Sequence, residues 1–183
     1  MARHWYVVGM ALAAAPVAGT AHAASNAREA NTIGPWEPYK GANSFVLEPG
    51  RACTFRLVGE LLDDQEMART LATDAAGNVT IREVVGAIVF RYFNESTGRS
   101  VVRHVDGHAW LFYHPDHTET WVTQGPFAFA VTPSGRTTTT PSLGLGGYIA
   151  SGTSILEVHG KNGHITWAGP MENICETLGD ARS

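Results

Sequence analysis

The sequence predicts an all-β fold: a small antiparallel β-barrel, with a two-sheet sandwich as second choice, and a short C-terminal helix. Three observations predict it. Runs rich in Val, Ile, Phe, Tyr, Trp and Thr recur between turn signals at roughly the 8–12-residue spacing of sandwiches and barrels. No strand pattern alternates with a long helical one, so a doubly wound fold is not expected. Of the 183 residues only 16% are Asp, Glu, Lys or Arg, while Gly numbers 20 and Pro 9. That composition excludes a coiled coil and a charge-rich disordered chain. Closure is preferred to an open sandwich because it removes exposed sheet edges.

Residues 1–23 read as a secretory signal. Arg3 supplies the positive start, Tyr6 to Val17 an apolar stretch, and Ala21-His22-Ala23 a small-x-small cleavage site. The stretch is too short and too rich in Ala for a membrane span of roughly 20 apolar residues, and no later segment approaches one. The expected product is a secreted, extracellular protein of about 160 residues, long enough for one core. The whole chain has a formal charge of −4, and losing Arg3 leaves 12 basic against 17 acidic residues, about −5. Neither value offers a footprint for nucleic acid or an anionic membrane.

Residues 24–42 form an irregular leader ending in Gly34-Pro35-Trp36-Glu37-Pro38, with Trp36 as its expected anchor. Residues 43–183 read as a single β-barrel-like domain. Phe45 to Glu48 is a short strand, Pro49-Gly50 a turn, and Ala52 to Val58 an alternating strand. Glu60 to Ala68 is ambiguous between helix and strand, and its strand-rich neighbours favour strand or loop. A hairpin follows around Ala75-Ala76-Gly77-Asn78. Val84 to Phe93 is a long apolar run with a bulge or bend at Gly86. Ser100 to Val105 and Ala109 to Tyr113 are expected to pair across an Asp106-Gly107 hairpin turn. Strands then follow at Thr118 to Thr123 and Phe127 to Val131. A threonine-rich loop and a Gly-rich segment lead to a last hairpin around Lys161-Asn162-Gly163. Met171, Ile174, Cys175 and Leu178 fall at i, i+3, i+4 and i+7, the stripe of a short amphipathic helix.

Export makes the two cysteines interpretable. Cys53 and Cys175 are expected to pair in an oxidising compartment, the competing reading being two separate buried thiols. The pair would close a loop of 123 residues, for which the chain-entropy model gives roughly 5 kcal/mol.

Three groups of residues carry a resemblance. They are Phe45-x-Leu47-x-Pro49-Gly50-x-Ala52-Cys53-x-Phe55, the turn of Asn94, Thr97, Gly98, Arg99 and Ser100, and the closing Gly163, Ile165, Cys175 and Leu178. Together they resemble a large group of small secreted proteins of actinomycetes, uncharacterised in function. The resemblance implies a secreted, barrel-like domain with a cysteine pair and no established activity. Asn173 stands where that group commonly carries Asp.

Two constellations carry candidate chemistry. His104, His108, His114 and His117, with Asp106 and Asp116 among them, are candidate zinc or copper ligands; solvated turn residues are the competing reading. Trp110, Phe112, Trp121, Phe129 and Trp167 are candidate ligand-binding aromatics lining a barrel, against the reading that they are core. Glu83, Glu95, Glu119 and Glu157 are conceivable carboxylate pairs, but no separation follows from sequence. No G-x-S-x-G elbow and no dinucleotide fingerprint in a βαβ context is present, and no cofactor is expected. The expectation is a non-catalytic binding module for a small apolar ligand or a cell-surface partner. The alternatives are a cofactor-free cyclase- or isomerase-like enzyme, by analogy of architecture alone, and a wall-associated structural protein.

Overall fold

A computed structural model describes residues 33–179 of the chain. The expected signal segment and the first part of the leader lie outside the described residues. The elements are β1 (Glu37–Pro38), β2 (Phe45–Leu47), β3 (Leu57–Asp64), β4 (Met67–Thr73), β5 (Val79–Gly86), β6 (Ile88–Asn94), β7 (Ser100–His104), β8 (Gly107–Tyr113), β9 (Thr118–Gln124), β10 (Phe127–Val131), β11 (Thr137–Thr140), β12 (Gly146–Ala150), β13 (Thr153–His159), β14 (Asn162–Ala168), β15 (Met171–Asn173) and α1 (Ile174–Thr177). The described residues form an all-β fold with one short helix, and no helix among them is long and apolar enough to cross a membrane.

Three sheets are formed, ordered β1-β4-β5-β8-β9-β13-β14-β11, β10-β12-β15 and β2-β3-β6-β7. None closes on itself among the described residues. Instead, long strands bend and change sheet. The chain passes from β3 to β4 at Gln65-Glu66, from β5 to β6 at Ala87, and from β7 to β8 at Val105-Asp106. Likewise it passes from β9 to β10 at Gly125-Pro126, from β12 to β13 at Ser151-Gly152, and from β14 to β15 at Gly169-Pro170. The corners are tied in a line by backbone bonds: Gln65 N to Ala87 O, Val105 N to Ile88 O, Gly125 N to Gly152 O and Ser151 N to Pro170 O, each 2.8 Å.

Asp106-Gly107 is therefore a corner and not the expected hairpin turn. β7 pairs with β6, and β8 with β5 and β9. The Asp106 carboxylate accepts from the Ile88 amide at 3.0 Å, which holds the corner against the next one along. The expected Ala52–Val58 strand begins only at Leu57, because residues 51–55 bend around the buried Cys53. The expected C-terminal helix shrinks to Ile174–Thr177. Met171 belongs to β15, and the Asn173 side chain caps the helix by accepting from the Cys175 amide. Threonines 137–140, read as loop, pair in parallel with β14. The leader docks at β1, and the Arg69 guanidinium lies 4.5 Å above the Trp36 ring, the anchor anticipated for that segment.

The three-stranded sheet is buried on both faces. Ala128, Ala130 and Ile149 join Phe45, Leu47, Leu57, Phe90, Tyr92 and Ile174 in one core. Phe129, Val131, Tyr148 and Ala150, one residue out of phase, join Val84, Leu111, Trp121, Leu156 and Ile165 in the other. Strand alternation sends successive side chains to opposite faces, so a strand with a core on each side must be apolar throughout, as β10 and β12 are. Cys53 and Cys175 are bonded, with Cα atoms 5.3 Å apart, and lie inside the first core.

Candidate functional site

The line of corners leaves a cavity where the three sheets diverge. It has a volume of about 50 Å³ and is partly open to the surface. Room of that size holds a few water-sized groups. Most of its wall is apolar: Ile88 and Phe90 from β6, Trp121 from β9, and Phe127 and Ala128 from β10. Three side chains make the exceptions: His108, whose Nε2 is held by Glu83, and two that are more deeply buried. Glu66, at the β3–β4 corner, is 6% exposed, and Thr123 on β9 is 5% exposed. Both residues line the cavity, and each carries a fully buried polar atom without a hydrogen-bond partner, Glu66 Oε2 and Thr123 Oγ1. A buried polar atom left unpaired costs about 1–3 kcal/mol, which is why nearly all are paired. Two on one small cavity mark it out.

Local structure explains how Glu66 is held. The Glu66 amide donates to Asp64 Oδ1 at 3.1 Å, and the Glu66 carbonyl accepts from the Tyr39 amide at 2.9 Å. The docked leader thus fixes the backbone from one side. A hydrogen bond from the Gly41 amide supports the carboxyl group. Desolvation first, and then the nearby Asp64 charge, push the Glu66 carboxyl up to about 7, while the Gly41 amide and Lys40 pull weakly the other way. Lys40 itself is engaged with Asp64, its Nζ lying 2.7 Å from the carbonyl and 3.8 Å from Oδ2. Beside Thr123, its cross-strand partner Ser154 carries another buried hydroxyl with no partner.

A second constellation lies in the same eight-stranded sheet. Glu83 on β5 accepts from Arg69 Nε on β4 at 2.5 Å and sits 2.7 Å from His108 Nε2 on β8. His108 stacks on Trp110, ring centroids 3.9 Å apart. Desolvation pushes the Glu83 carboxyl up, but the hydrogen bonds and charges of Arg69 and His108 outweigh it and hold it below the usual carboxylate range. Both oxygens of that carboxylate are engaged, which makes it a structural clamp.

The four histidines do not converge. His104 lies on the four-stranded sheet, its Nδ1 3.3 Å from Asp106 Oδ2. The corner at Asp106 carries the chain onward, so His104 and His108 do not face each other as a hairpin would require. His114 Nε2 meets Thr120 Oγ1 at 2.9 Å, and His117 occupies a left-handed turn position at φ 62°. Among the described residues, no group of three or more His, Cys, Asp or Glu side chains could hold a metal ion.

The five candidate aromatics separate. Trp121 lines the cavity. Phe129 is core, 2% exposed and stacked on Tyr148 at 5.6 Å. Trp167 packs against the same core. Trp110 and Phe112 are half-buried and alternate along β8 with the buried Ala109 and Leu111, so they occupy the opposite face of the sheet. Of the candidate carboxylates, Glu95 pairs with Arg56 and Glu119 accepts from Trp121 Nε1 at 2.8 Å, while Glu157 is exposed. Sequence reasoning passed over Glu66, whose neighbours Asp63, Asp64 and Gln65 make it look like one more polar loop residue.

The chain matches no protein-family model, no curated protein and no solved structure.

Proposed function

We propose that the chain is a secreted, disulfide-stapled binding module that takes one small, mostly apolar molecule by its polar end in the corner cavity. The observation that carries this is a mostly apolar cavity whose few polar lining residues include Glu66 and Thr123, each with a buried oxygen that has no hydrogen-bond partner. Ligand sites commonly combine apolar lining with a few placed polar groups. The Cys53–Cys175 bond is consistent with an extracellular setting. Bent strands folding over one end of the large sheet are read as an opened barrel whose mouth is that cavity. Kinship with the small secreted actinomycete proteins belongs to the same proposal and rests on the three motif groups above.

The cyclase- or isomerase-like alternative draws support from an inward carboxylic acid. It also needs to enclose a whole substrate, and enzyme and ligand pockets run to roughly 300–1,000 Å³. The volume of about 50 Å³ here suits the end of a molecule, which favours binding over turnover.

Native mass spectrometry of the secreted protein, purified without organic solvent, tests the proposal. The expected result is a small adduct at one per chain, absent from an Ala109→Leu variant whose larger side chain fills the cavity. A wild-type chain that carries no adduct, and gains none when incubated with a panel of small apolar molecules, would overturn it.

A further inference from the structure

The four-stranded sheet ends at β7, and the bonding pattern of that strand follows from its two ends. The Asn94 amide donates to the Arg99 carbonyl at 2.9 Å, and the Val105 amide to the Ile88 carbonyl at 2.8 Å. Both bonds continue the β6–β7 register, in which Tyr92 faces Val101 and Phe90 faces Arg103. Facing residues of an antiparallel pair alternate between those that exchange bonds and those that do not. Val101 and Arg103 therefore bond to β6, while the amides and carbonyls of Ser100, Val102 and His104 point the other way. No strand lies on that side. Among the described residues the three amides have no partner, and of the three carbonyls only that of Val102 accepts a bond, from Arg103 Nη1 at 2.9 Å.

The side chains leave this edge open. Val102 is 48% exposed, and Ser100 and His104 are exposed beside it. Natural edge strands are commonly blunted by Lys, Pro or a bulge, and β7 has none of these. Its one guanidinium, Arg103, lies on the opposite face of the strand and is held by both Glu172 oxygens at 2.8 Å. The edges at β1, β2 and β11 have only 2, 3 and 4 residues.

We propose that β7 is a self-association edge that takes β7 of a second copy of this chain, antiparallel and centred on Val102. The outward residues are spaced symmetrically about Val102, so one two-fold axis serves all of them: Val102 bonds to Val102 of the copy, and Ser100 to His104 in both directions. The Val102 carbonyl has a second lone pair for this. The two exposed Val102 side chains then cover each other as a cross-strand pair. Charge permits the match. Val102 faces Arg91, which is paired with Glu60. The two Arg91 side chains would stand three strand spacings apart, about 14 Å, beyond the screening length of roughly 8 Å. Arg103 meets Val101 of the copy and brings its own Glu172. One five-residue strand from each copy buries less than the roughly 1,200 Å² of a standard interface, so the dimer forms only at high concentration.

Sedimentation velocity of the full disulfide-bonded chain at about 10 μM and about 1 mM tests this. The expected result is a monomer at the lower concentration and mostly dimer at the higher. Over the same range, amide exchange at Ser100, Val102 and His104 should slow about tenfold, while that of Leu111 in the large sheet stays unchanged. Val102→Pro removes an outward amide and none of the bonds to β6, a position where an edge strand tolerates proline. Val102→Lys keeps the amide but sets two ammonium groups across the axis. Both variants should stay monomeric at the higher concentration with an unchanged circular dichroism spectrum, and the lysine variant carries the test if the proline one does not fold. A wild-type chain that stays monomeric overturns the proposal, even if a foreign extended peptide is found at these amides. A dimer that persists in a folded variant, or that slows amides elsewhere and not these three, overturns it too.

Discussion

Gly86 lies directly against the backbone of Glu66. A β-carbon on Gly86 would stand 2.6 Å from Glu66 Cα and 2.4 Å from the Gln65 carbonyl oxygen, and its φ of 142° is one that other residues rarely adopt. The two corners at β3–β4 and β5–β6 can approach this closely only because one of them has no side chain.

Gly86→Ala should therefore destabilise by about 3 kcal/mol, combining backbone strain with a clash against backbone that cannot give way. Gly77, in the β4–β5 turn, has φ 86°, but a β-carbon there would meet nothing within 4 Å. Gly77→Ala should cost only about 1 kcal/mol. Urea unfolding of both variants checks the contrast, and equal losses would mean that the contact between corners carries no energy.

Glu66 should make stability depend on pH. Its folded-state value is raised from 4.5 to about 7, so the protonated form is the one the fold favours. The stabilisation relative to the unfolded chain is fully present below about pH 4.5 and is lost as pH rises through 7. A shift of that size corresponds to at most about 3 kcal/mol. Glu66→Gln lacks this slope, so its stability relative to wild type should increase between pH 4.5 and 8 by an amount approaching that figure. Urea unfolding across that range measures it. Parallel curves for the two proteins would show that the carboxyl is solvated in solution.

How much of this was legible in the sequence follows from local versus assembled signals. β10 lies at the expected Phe127–Val131 because an apolar run bounded by Gly125-Pro126 needs no tertiary information. The last hairpin is equally local. Asp106-Gly107 misled because an Asp-Gly pair serves a corner as well as a hairpin; which strand it joins depends on partners far along the chain. On β8, His108 to Tyr113 contains no strongly polar residue after the histidine, so period-2 alternation could not say that Ala109 and Leu111 face inward and Trp110 and Phe112 outward. Glu66 was invisible for a related reason. The cavity it lines is assembled from the leader, β5, β6, β8, β9 and β10, and no neighbour in sequence announces them.

The disulfide was legible once export was assumed, and its removal should be felt globally. Cys53 and Cys175 are 1% and 2% exposed and join residues 122 apart in sequence. Replacing both with Ala should cost about 2–5 kcal/mol, since the constraint on the unfolded chain is lost and a small void opens in the core. For a chain of this size that amounts to a fall of roughly 5–20 °C in Tm. A calorimetric Tm within a degree or two of wild type would show that the first core holds the C-terminal segment without the bond.

Glu83 should oppose Glu66. Its side chain is 10% exposed, and its carboxyl is held below the usual range by Arg69 and His108 against the pull of desolvation. A depressed folded-state value means stabilisation that is present above the unfolded value near 4.5 and lost as pH falls through the folded one. Removing one partner of a buried ion pair costs about 3–5 kcal/mol. Here Arg69 and His108 remain 30% and 35% exposed, so solvent screens the charges left behind and about 2 kcal/mol is the better expectation for Glu83→Gln at pH 7. As pH falls through the folded-state value the wild-type carboxyl takes up its proton, and the gap between the two proteins should narrow. Urea unfolding at pH 7 and pH 3 separates this from a packing effect, which would leave the gap unchanged. Neighbouring corners and strands thus hold two buried glutamates with opposite signs of pH dependence, and the difference comes from their partners: Glu83 has a guanidinium and an imidazole, whereas Glu66 has one amide, a negative neighbour and a cavity.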